Sequence, residues 1–222
     1  MKSRCDDWVR RQYEVMKSGI EGRLGEFRRF GREGSREDLF AEVAYCICTG
    51  LGGFRNCRSA CEQMRRNNVL YSQGDDAIAS SLKRNYVRLH GYRAICITEA
   101  RAKLYDNGCQ HEIKGLVAQL LSMPQQEARD YLDGLNISWG MRGSSHFLRN
   151  VGNGDDLAIL AIPIIDKLVE CGILAERTIG IAASNKYLAI EGQMREWANE
   201  LGLSLGELDL LLWSEETGEI FR

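Results

Sequence analysis

Residues 131–167 read YLDGLNISWGMRGSSHFLRNVGNGDDLAILAIPIIDK, and this is the most informative segment of the sequence. The pattern predicts a helix that ends near Leu135, a short turn over 136–140, and a second helix that includes Gly143 to Asn150. Two helices around a tight turn that contains glycine form a hairpin of about residues 131–151. The first N–H groups of the second helix have no partner within that helix, so such a hairpin can bind a phosphate group.

The sequence on both sides of the hairpin also predicts helices. Ser35 to Asp38 has the form of a capping box, which opens an apolar helix that ends at Gly50. Further helices are expected over 55–66, 92–105, 144–151, 157–171, 184–201 and 204–213, and over 125–134 with Pro124 in the first turn. No run of alternating apolar and polar residues indicates a sheet. The sequence therefore predicts an all-α protein.

The composition and the apolar pattern of the chain exclude several classes of protein. The chain has 222 residues, with 29 Lys and Arg against 31 Asp and Glu, and two prolines. Its longest apolar run, Leu157 to Ile165, is too short to span a membrane, and its first residues lack the apolar core of a secretory signal. We therefore exclude a membrane protein and a secreted disulfide module. We expect an intracellular protein, cytoplasmic or nucleoid-associated, that forms one helical domain over residues 1–222.

The eight cysteines are expected to be reduced in an intracellular chain of this size. Cys46, Cys48, Cys57 and Cys61 offer an alternative as a metal site. Their spacing matches no common zinc or iron–sulfur pattern. Cys46 and Cys48 also lie in the apolar segment AEVAYCICTG, where they are typical of small core side chains. We expect no metal and no cofactor.

Positive charge is concentrated in two segments of the chain. Residues 1–36 carry ten Lys and Arg against six acids, and residues 54–103 carry ten against four. Residues 207–222 carry five acids and Arg222. Proteins that bind nucleic acids need local positive charge, because each neutralised phosphate releases counterions locally. Solvated helix faces would give the same pattern, so charge alone leaves both interpretations open.

The hairpin segment resembles a known family. GMRGSSHFLRNVG, followed by DLAIL, is similar to the core signature of the archaeal-type 8-oxoguanine DNA glycosylase/AP lyases, which belong to the helix-hairpin-helix glycosylase superfamily. EDLFAEVAYCICTG, HGYRAICITEARAKL and ELDLLLW resemble other helices of that family, so the similarity covers about residues 20–213. The resemblance implies two interleaved helical lobes with a DNA-binding cleft between them. It also implies that duplex DNA, including damaged duplex, is the partner.

The resemblance also identifies the positions of two catalytic groups, and this sequence differs at both. The family's lysine attacks the sugar of a flipped nucleotide to form a Schiff base, and it lies two residues after Gly140, where this chain has Arg142. Arginine stays protonated at any working pH and cannot be the nucleophile. The family's aspartate, which stabilises positive charge on the sugar, directly follows DLAIL, where this chain has Ala161. We therefore expect lost or strongly reduced glycosylase and lyase chemistry.

Other carboxylates keep an alternative open. Asp155 and Asp166 lie near Ala161 in the sequence, and an N-glycosidase that acts on a different base or nucleoside would use one of them. Asp166 is more than a helical turn past Ala161 and is expected to face elsewhere. Asp155 and Asp156 are expected to cap the following helix. A further alternative is a protein-interaction scaffold without catalysis, which the near-neutral isoelectric point of about 6.0 favours slightly.

Contacts with DNA are expected from the hairpin. The predicted contact residues are Ser138, Trp139, Gly140, Arg142, Ser145, His146 and Arg149. Ser138 replaces the first glycine of the family's Gly-x-Gly turn, which weakens the expectation of a phosphate contact there. Trp139 is expected either to wedge into DNA or to cover the hairpin, and His146 is either a general base or a packed residue.

The resemblance places the C-terminal segment close to a base pocket. Trp213 and Arg222 are the residues expected there. A tryptophan at the end of LDLLLW would either stack on a flipped base or belong to the core.

Overall fold

A computed structural model describes residues 2–49, 53–177, 184–218 and 220, and every regular element in these ranges is a helix. This confirms the all-α prediction. The helices are α1 (Lys2–Glu33), α2 (Arg36–Cys48), α3 (Phe54–Arg66), α4 (Val69–Ser72), α5 (Asp75–Arg84), α6 (His90–Leu104), α7 (Ile113–Leu121), α8 (Gln125–Gly134), α9 (Gly140–Asn150), α10 (Ile162–Glu170), α11 (Ser184–Leu201) and α12 (Leu205–Thr217). None of these helices is long and apolar enough to cross a lipid bilayer.

The predicted capping box at the start of α2 is confirmed. The Ser35 hydroxyl accepts a hydrogen bond from the Asp38 N–H, and the Asp38 carboxylate accepts one from the Ser35 N–H. α12 begins in the same way, with Ser204 and Glu207. Each box satisfies N–H groups that have no partner within the helix, so the sequence defines both starts.

Buried side chains form two separate cores, one in each lobe. The first core runs from Leu39 to Leu157 and is built by α2 to α9. The second core combines α1 with residues from Ala158 onward and with Met141 of α9. The first lobe is thus one continuous piece of chain, and the second is assembled from both ends. The chain passes from one core to the other between Leu157 and Ala158.

Residues 157–161 differ from the predicted helix over 157–171, which begins at Ile162 instead. Side chains of α11 and α12 form hydrogen bonds with the backbone of this extended segment. The N–H of Ala158 donates to Glu191 (3.0 Å), and the N–H of Ile159 donates to Asp209 (3.1 Å). The Tyr187 hydroxyl donates to the carbonyl of Ala158 (2.5 Å). An apolar run of five residues does not distinguish a buried extended segment from a helix, which is why the sequence pattern was misleading.

The same two carboxylates form buried ion pairs with the other lobe. Arg129 of α8 lies 2.6 Å from Glu191 of α11, and both side chains are 1% exposed. Arg149 of α9 lies 2.6 Å from Asp209 of α12. We call this arrangement the interlobe clamp, which consists of Arg129, Glu191, Arg149 and Asp209. It joins the helices of the two lobes and holds the segment between them.

A disulfide joins Cys5 of α1 to Cys171 at the end of α10. The expectation that all cysteines are reduced is therefore wrong for this pair. Both residues belong to the second lobe, so the bond ties its N-terminal part to its C-terminal part. Five of the other six cysteines are buried free thiols. Across the described ranges, no three His, Cys, Asp or Glu side chains come together as a metal site.

The interlobe clamp predicts a large energetic cost when one partner is removed. Asp209→Asn leaves the Arg149 guanidinium buried without a carboxylate, which typically costs about 3–5 kcal/mol. We expect the free energy of unfolding to fall by this amount in urea titrations. The matched control is Asp166→Asn, which breaks the exposed pair of Asp166 with Arg177 and should cost less than about 1 kcal/mol. Equal losses for the two variants would contradict the clamp.

The disulfide predicts a stability that depends on reducing agent. It closes a loop with a sequence separation of 166 residues, and removal of such a bond typically costs about 2–5 kcal/mol. Addition of dithiothreitol should lower the free energy of unfolding of the native protein by this amount. It should leave Cys5→Ser unchanged, since that variant lacks the bond. A native protein whose stability is insensitive to the reductant would show that the bond does not stabilise the fold.

Candidate functional site

A cavity opens between the two lobes and encloses about 470 Å³, including its mouth. Its walls come from α2, α3, α9, α12 and the segment 157–161. The lining residues are Tyr45, Thr49, Phe54, Arg142, His146, Arg149, Ile159, Ala161, Asp209 and Trp213.

Arg142 and Ala161 both line this cavity, although they lie on different elements. Arg142 is in the first turn of α9, and Ala161 immediately precedes α10. Burial lowers the pKa of the Arg142 guanidinium below its usual value. The group stays charged all the same, because arginine is not deprotonated in proteins. The structure thus brings together a guanidinium and a methyl group at the positions that the resemblance identifies as catalytic.

Ala161 is the N-cap residue of α10. Its backbone is extended, with φ −81° and ψ 161°, and Pro163 follows in the first turn of the helix. An aspartate at an N-cap accepts hydrogen bonds from the first N–H groups of the helix, whereas the methyl group of Ala161 accepts none. An aspartate at this position, which the resemblance implies for the family, would supply both a helix cap and a carboxylate.

His146 is a buried residue of α9 that contacts Tyr45 and Thr49. Its ring meets the Tyr45 ring edge-on at 5.5 Å, and Nδ1 lies 3.3 Å from the Thr49 hydroxyl. Burial, with Arg149 and Arg142 nearby, lowers the pKa of His146 well below its usual value. The imidazole is therefore neutral near pH 7. Its packing agrees with the interpretation of His146 as a packed residue.

Arg149 and Asp209 form the inner wall of the cavity through the interlobe clamp. Both oxygens of Asp209 are occupied, one by Arg149 and the other by the N–H of Ile159. Asp209 was not selected from the sequence. The sequence does contain an indication of its role, since Asp209 is a lone acid within the apolar run LDLLLW. A carboxylate in a buried helix needs a buried partner.

Aromatic side chains form the outer wall of the cavity. Trp213 packs edge-on against Phe54, with 5.4 Å between ring centroids, and Tyr45 lines the same space. The position of Trp213 in the lining agrees with its predicted place in a base pocket. Tyr45, Thr49 and Phe54 were not selected from the sequence, because nothing in the local pattern separates them from core residues. Arg222, the other predicted pocket residue, lies outside the described residues.

The alternative carboxylates do not line the cavity. Asp155 pairs with Arg28 (3.2 Å), and Asp166 pairs with Arg177 (2.8 Å). Asp156 pairs with Arg195 (2.8 Å). The expectation that Asp155 and Asp156 cap the next helix is wrong, since the N-cap of α10 is Ala161. Asp166 faces away from the site, as expected.

The hairpin consists of α8, a turn over 135–139, and α9. Ser138 and Gly140 both have positive φ, at 61° and 59°. Ser138 thus keeps the left-handed conformation that glycine adopts easily, and its side chain is exposed at the turn. Lys103 of α6 supports the turn, because its ammonium donates to the carbonyls of Leu135 (3.1 Å) and Asn136 (2.8 Å).

Three of the predicted DNA-contact residues are held within the fold. Trp139 packs on Phe147 with 5.2 Å between ring centroids, and a side chain at Gly143 would collide with it. This geometry agrees with a tryptophan that covers the hairpin. Ser145 is fully buried and accepts a hydrogen bond from Arg129 (3.3 Å), and Arg149 is buried in its ion pair. The side chains of Ser145 and Arg149 are therefore not available to a DNA backbone.

The bare N-cap predicts that Ala161→Asp stabilises the protein. An aspartate there should add about 0.5–2 kcal/mol to the free energy of unfolding, because it caps α10. The helix N–H groups lower the pKa of this carboxyl. The gain should therefore be present above the unfolded pKa of about 3.9 and disappear as the pH falls through the lower folded pKa. Ala161→Asn is the control, since it caps without titrating. Absence of a gain in both variants would contradict the capping geometry.

Comparison with known proteins gives a consistent result. Residues 20–203 match the family described as 8-oxoguanine DNA glycosylase. The 8-oxoguanine DNA glycosylase/AP lyase of Saccharolobus solfataricus is 33% identical over 212 residues, which cover 95% of this chain and 97% of that protein. The crystal structure of the 8-oxoguanine DNA glycosylase of Thermotoga maritima has a TM-score of 0.86 at 28% identity and covers 100% of both chains. The Methanocaldococcus jannaschii 8-oxoguanine glycosylase/lyase, crystallised with a 15mer DNA that contains 8-oxoguanine, has a TM-score of 0.81 at 28% identity over 97% of this chain and 100% of that chain. The chain therefore belongs to the 8-oxoguanine DNA glycosylase family.

Proposed function

We propose that this protein binds duplex DNA at damaged or flipped bases and that it has lost, or strongly reduced, the glycosylase and lyase chemistry of its relatives. The observation that carries the proposal is the pair Arg142 and Ala161 on the wall of the interlobe cavity. A Schiff base requires an amine with a free lone pair, which a guanidinium does not offer. The charge that develops on the sugar requires a carboxylate nearby, which Ala161 does not supply.

The scaffold that holds these positions supports DNA binding. α8, the turn and α9 form the hairpin, and Ser138 and Gly140 keep the left-handed backbone of its turn. The N–H groups at the start of α9 are donors for a DNA phosphate, because they have no partner within the helix. A relative of the same fold was crystallised with DNA that contains 8-oxoguanine, which supports the same partner for this chain.

An exposed apolar surface beside the hairpin supports the same partner. Tyr86, Leu89 and Tyr92 are 84%, 54% and 61% exposed, and Tyr92 lies on α6, the helix whose Lys103 donates to carbonyls of the hairpin turn. Arg84 and Arg88 are exposed within the same stretch of chain. Apolar side chains among arginines are typical of proteins that insert a wedge between DNA bases. Leu89 is the N-cap residue of α6 and has a left-handed φ of 54°, which is uncommon for a residue other than glycine.

The positions of the carboxylates weigh against the alternative of an N-glycosidase. Asp155 and Asp166, which such an enzyme would use, are paired with arginines outside the cavity. Asp209 lies in the cavity, but both of its oxygens are already engaged. A protein-interaction scaffold remains as an outcome of the binding experiment below.

Salt-dependent binding tests the DNA-binding part of the proposal. We expect the protein to bind a duplex that contains 8-oxoguanine or an abasic site more tightly than an undamaged duplex. Affinity should fall at least about tenfold between 50 and 200 mM salt, because phosphate contacts release counterions. The measurement is fluorescence anisotropy with labelled duplexes. Leu89→Ala should weaken binding, while Leu188→Ala removes an exposed leucine of α11 and should leave it unchanged. Weak binding that is insensitive to salt would favour the scaffold instead.

Borohydride trapping tests the loss of chemistry. The native protein should give no covalent adduct with 8-oxoguanine duplex, because Arg142 cannot form the Schiff base that borohydride reduces. The double variant Arg142→Lys with Ala161→Asp should give an adduct and measurable base release. Arg177→Lys is the matched control, because it introduces a lysine at an exposed arginine outside the cavity. It should give no adduct. A trapped adduct in the native protein would overturn the proposal.

A further inference from the structure

We propose that Lys103 is a positioning residue for DNA binding, because its ammonium holds the hairpin turn at the end of the exposed face of α6. The turn and that face then form one DNA-binding surface of fixed geometry. This inference rests on the proposed function and deepens it, since it identifies the residue that sets the place of the turn. Lys103 acts through the backbone of the protein and does not itself contact a phosphate.

The exposed face of α6 begins with two apolar side chains and ends at Lys103. Tyr92 and Ile95 are 61% and 47% exposed, and Glu99 is exposed about one turn further along. Positions 92, 95, 99 and 103 follow one another at three or four residues, the spacing that places side chains on one side of a helix. Glu99 precedes Lys103 by four residues, so the ammonium offsets the negative charge on this face.

Two hydrogen bonds connect Lys103 to the hairpin turn. The half-buried ammonium donates to the carbonyl of Leu135 at 3.1 Å and to the carbonyl of Asn136 at 2.8 Å. Leu135 is the C-cap residue of α8. The last carbonyls of a helix have no partner within it, and a positive charge is favourable beside them. Lys103 thus fixes the end of α8 and the start of the turn to α6.

The backbone of the turn is of a kind that needs such support. Asn136 and Ser138 have left-handed φ values of 51° and 61°. Residues other than glycine keep this conformation where the surrounding structure determines it. Ile137 lies between them and is 2% exposed, so an apolar anchor and the ammonium hold neighbouring residues of the turn. Removal of the ammonium leaves the two carbonyls to water, and the turn loses an anchor.

DNA affinity depends on this support because a surface that is already ordered pays less entropy on binding. A turn that moves relative to Tyr92 and Ile95 must be ordered by the DNA itself. Removal of Lys103 should therefore weaken binding, although no phosphate loses its partner.

The experiment measures binding of Lys103 variants to a duplex that contains an abasic site, by fluorescence anisotropy. Lys103→Met should weaken binding about tenfold, because the turn must then be ordered on binding. Lys103→Arg should restore the affinity to within about threefold of the native protein, since a guanidinium can also donate to two carbonyls. The charge-matched control is Lys167→Met, which should bind as the native protein does. Lys167 is a half-buried lysine of the other lobe that pairs with Glu170 and lies over the Trp8 ring.

Two further measurements separate positioning from a direct phosphate contact and from a loss of the fold. The slope of log affinity against log salt concentration should be the same for Lys103→Met and the native protein, whereas loss of a phosphate contact lowers it by about one unit. In the protein without DNA, amide hydrogen exchange over residues 135–140 should be faster in Lys103→Met, while exchange in α2 stays as in the native protein.

The outcomes distinguish this inference from the proposed function. Native affinity in Lys103→Met, native exchange over 135–140, or a salt slope lowered by one lysine contact would overturn the inference and leave the proposed function standing. Absence of DNA binding by the native protein would overturn both. If Lys103→Met does not melt as a folded protein, Lys103→Gln is judged by the same criteria, because its amide still donates hydrogen bonds.

Discussion

The two buried ion pairs of the interlobe clamp, Arg129 with Glu191 and Arg149 with Asp209, connect the helices of the two lobes. Charges are costly to bury unless every oxygen and guanidinium finds a partner. Here Glu191 and Asp209 each accept from one arginine of the opposite lobe and from one N–H of the segment 157–161. The register of the two lobes and the path of the chain between them are therefore determined by the same carboxylates.

The position of Ala161 follows from this arrangement. Side chains of α11 and α12 hold the N–H groups of Ala158 and Ile159 and the carbonyl of Ala158, and α10 begins at Ile162, after this extended segment. Ala161 is then the residue at the helix start that lines the cavity, as Arg142 of α9 also does. An alanine or an aspartate at position 161 would occupy the same place at the cavity. The scaffold can therefore be retained while the chemistry of the site changes.

Much of the helical structure could be predicted from the sequence, because capping boxes and apolar periodicity are local signals. Ser35 with Asp38 defines the start of α2 without reference to the rest of the chain. The extended segment 157–161 could not be predicted, because its conformation depends on Glu191 and Asp209, which are far along the chain. The same reason explains why Asp209 was missed and why Ser145 was assigned to the DNA surface. Asp209 and Ser145 contact residues of other helices, Arg149 and Arg129, and the sequence around each residue does not reveal these contacts.

The disulfide between Cys5 and Cys171 closes most of the backbone into a ring. Cys5 and Cys171 are linked across 166 positions, so the backbone between them closes into a covalent ring that contains the entire first lobe. A single break of the backbone anywhere within that ring leaves both fragments attached to each other. The lobe that carries the hairpin is thus a loop inserted into the other lobe, and while the bond is intact one cut cannot release it as a separate piece.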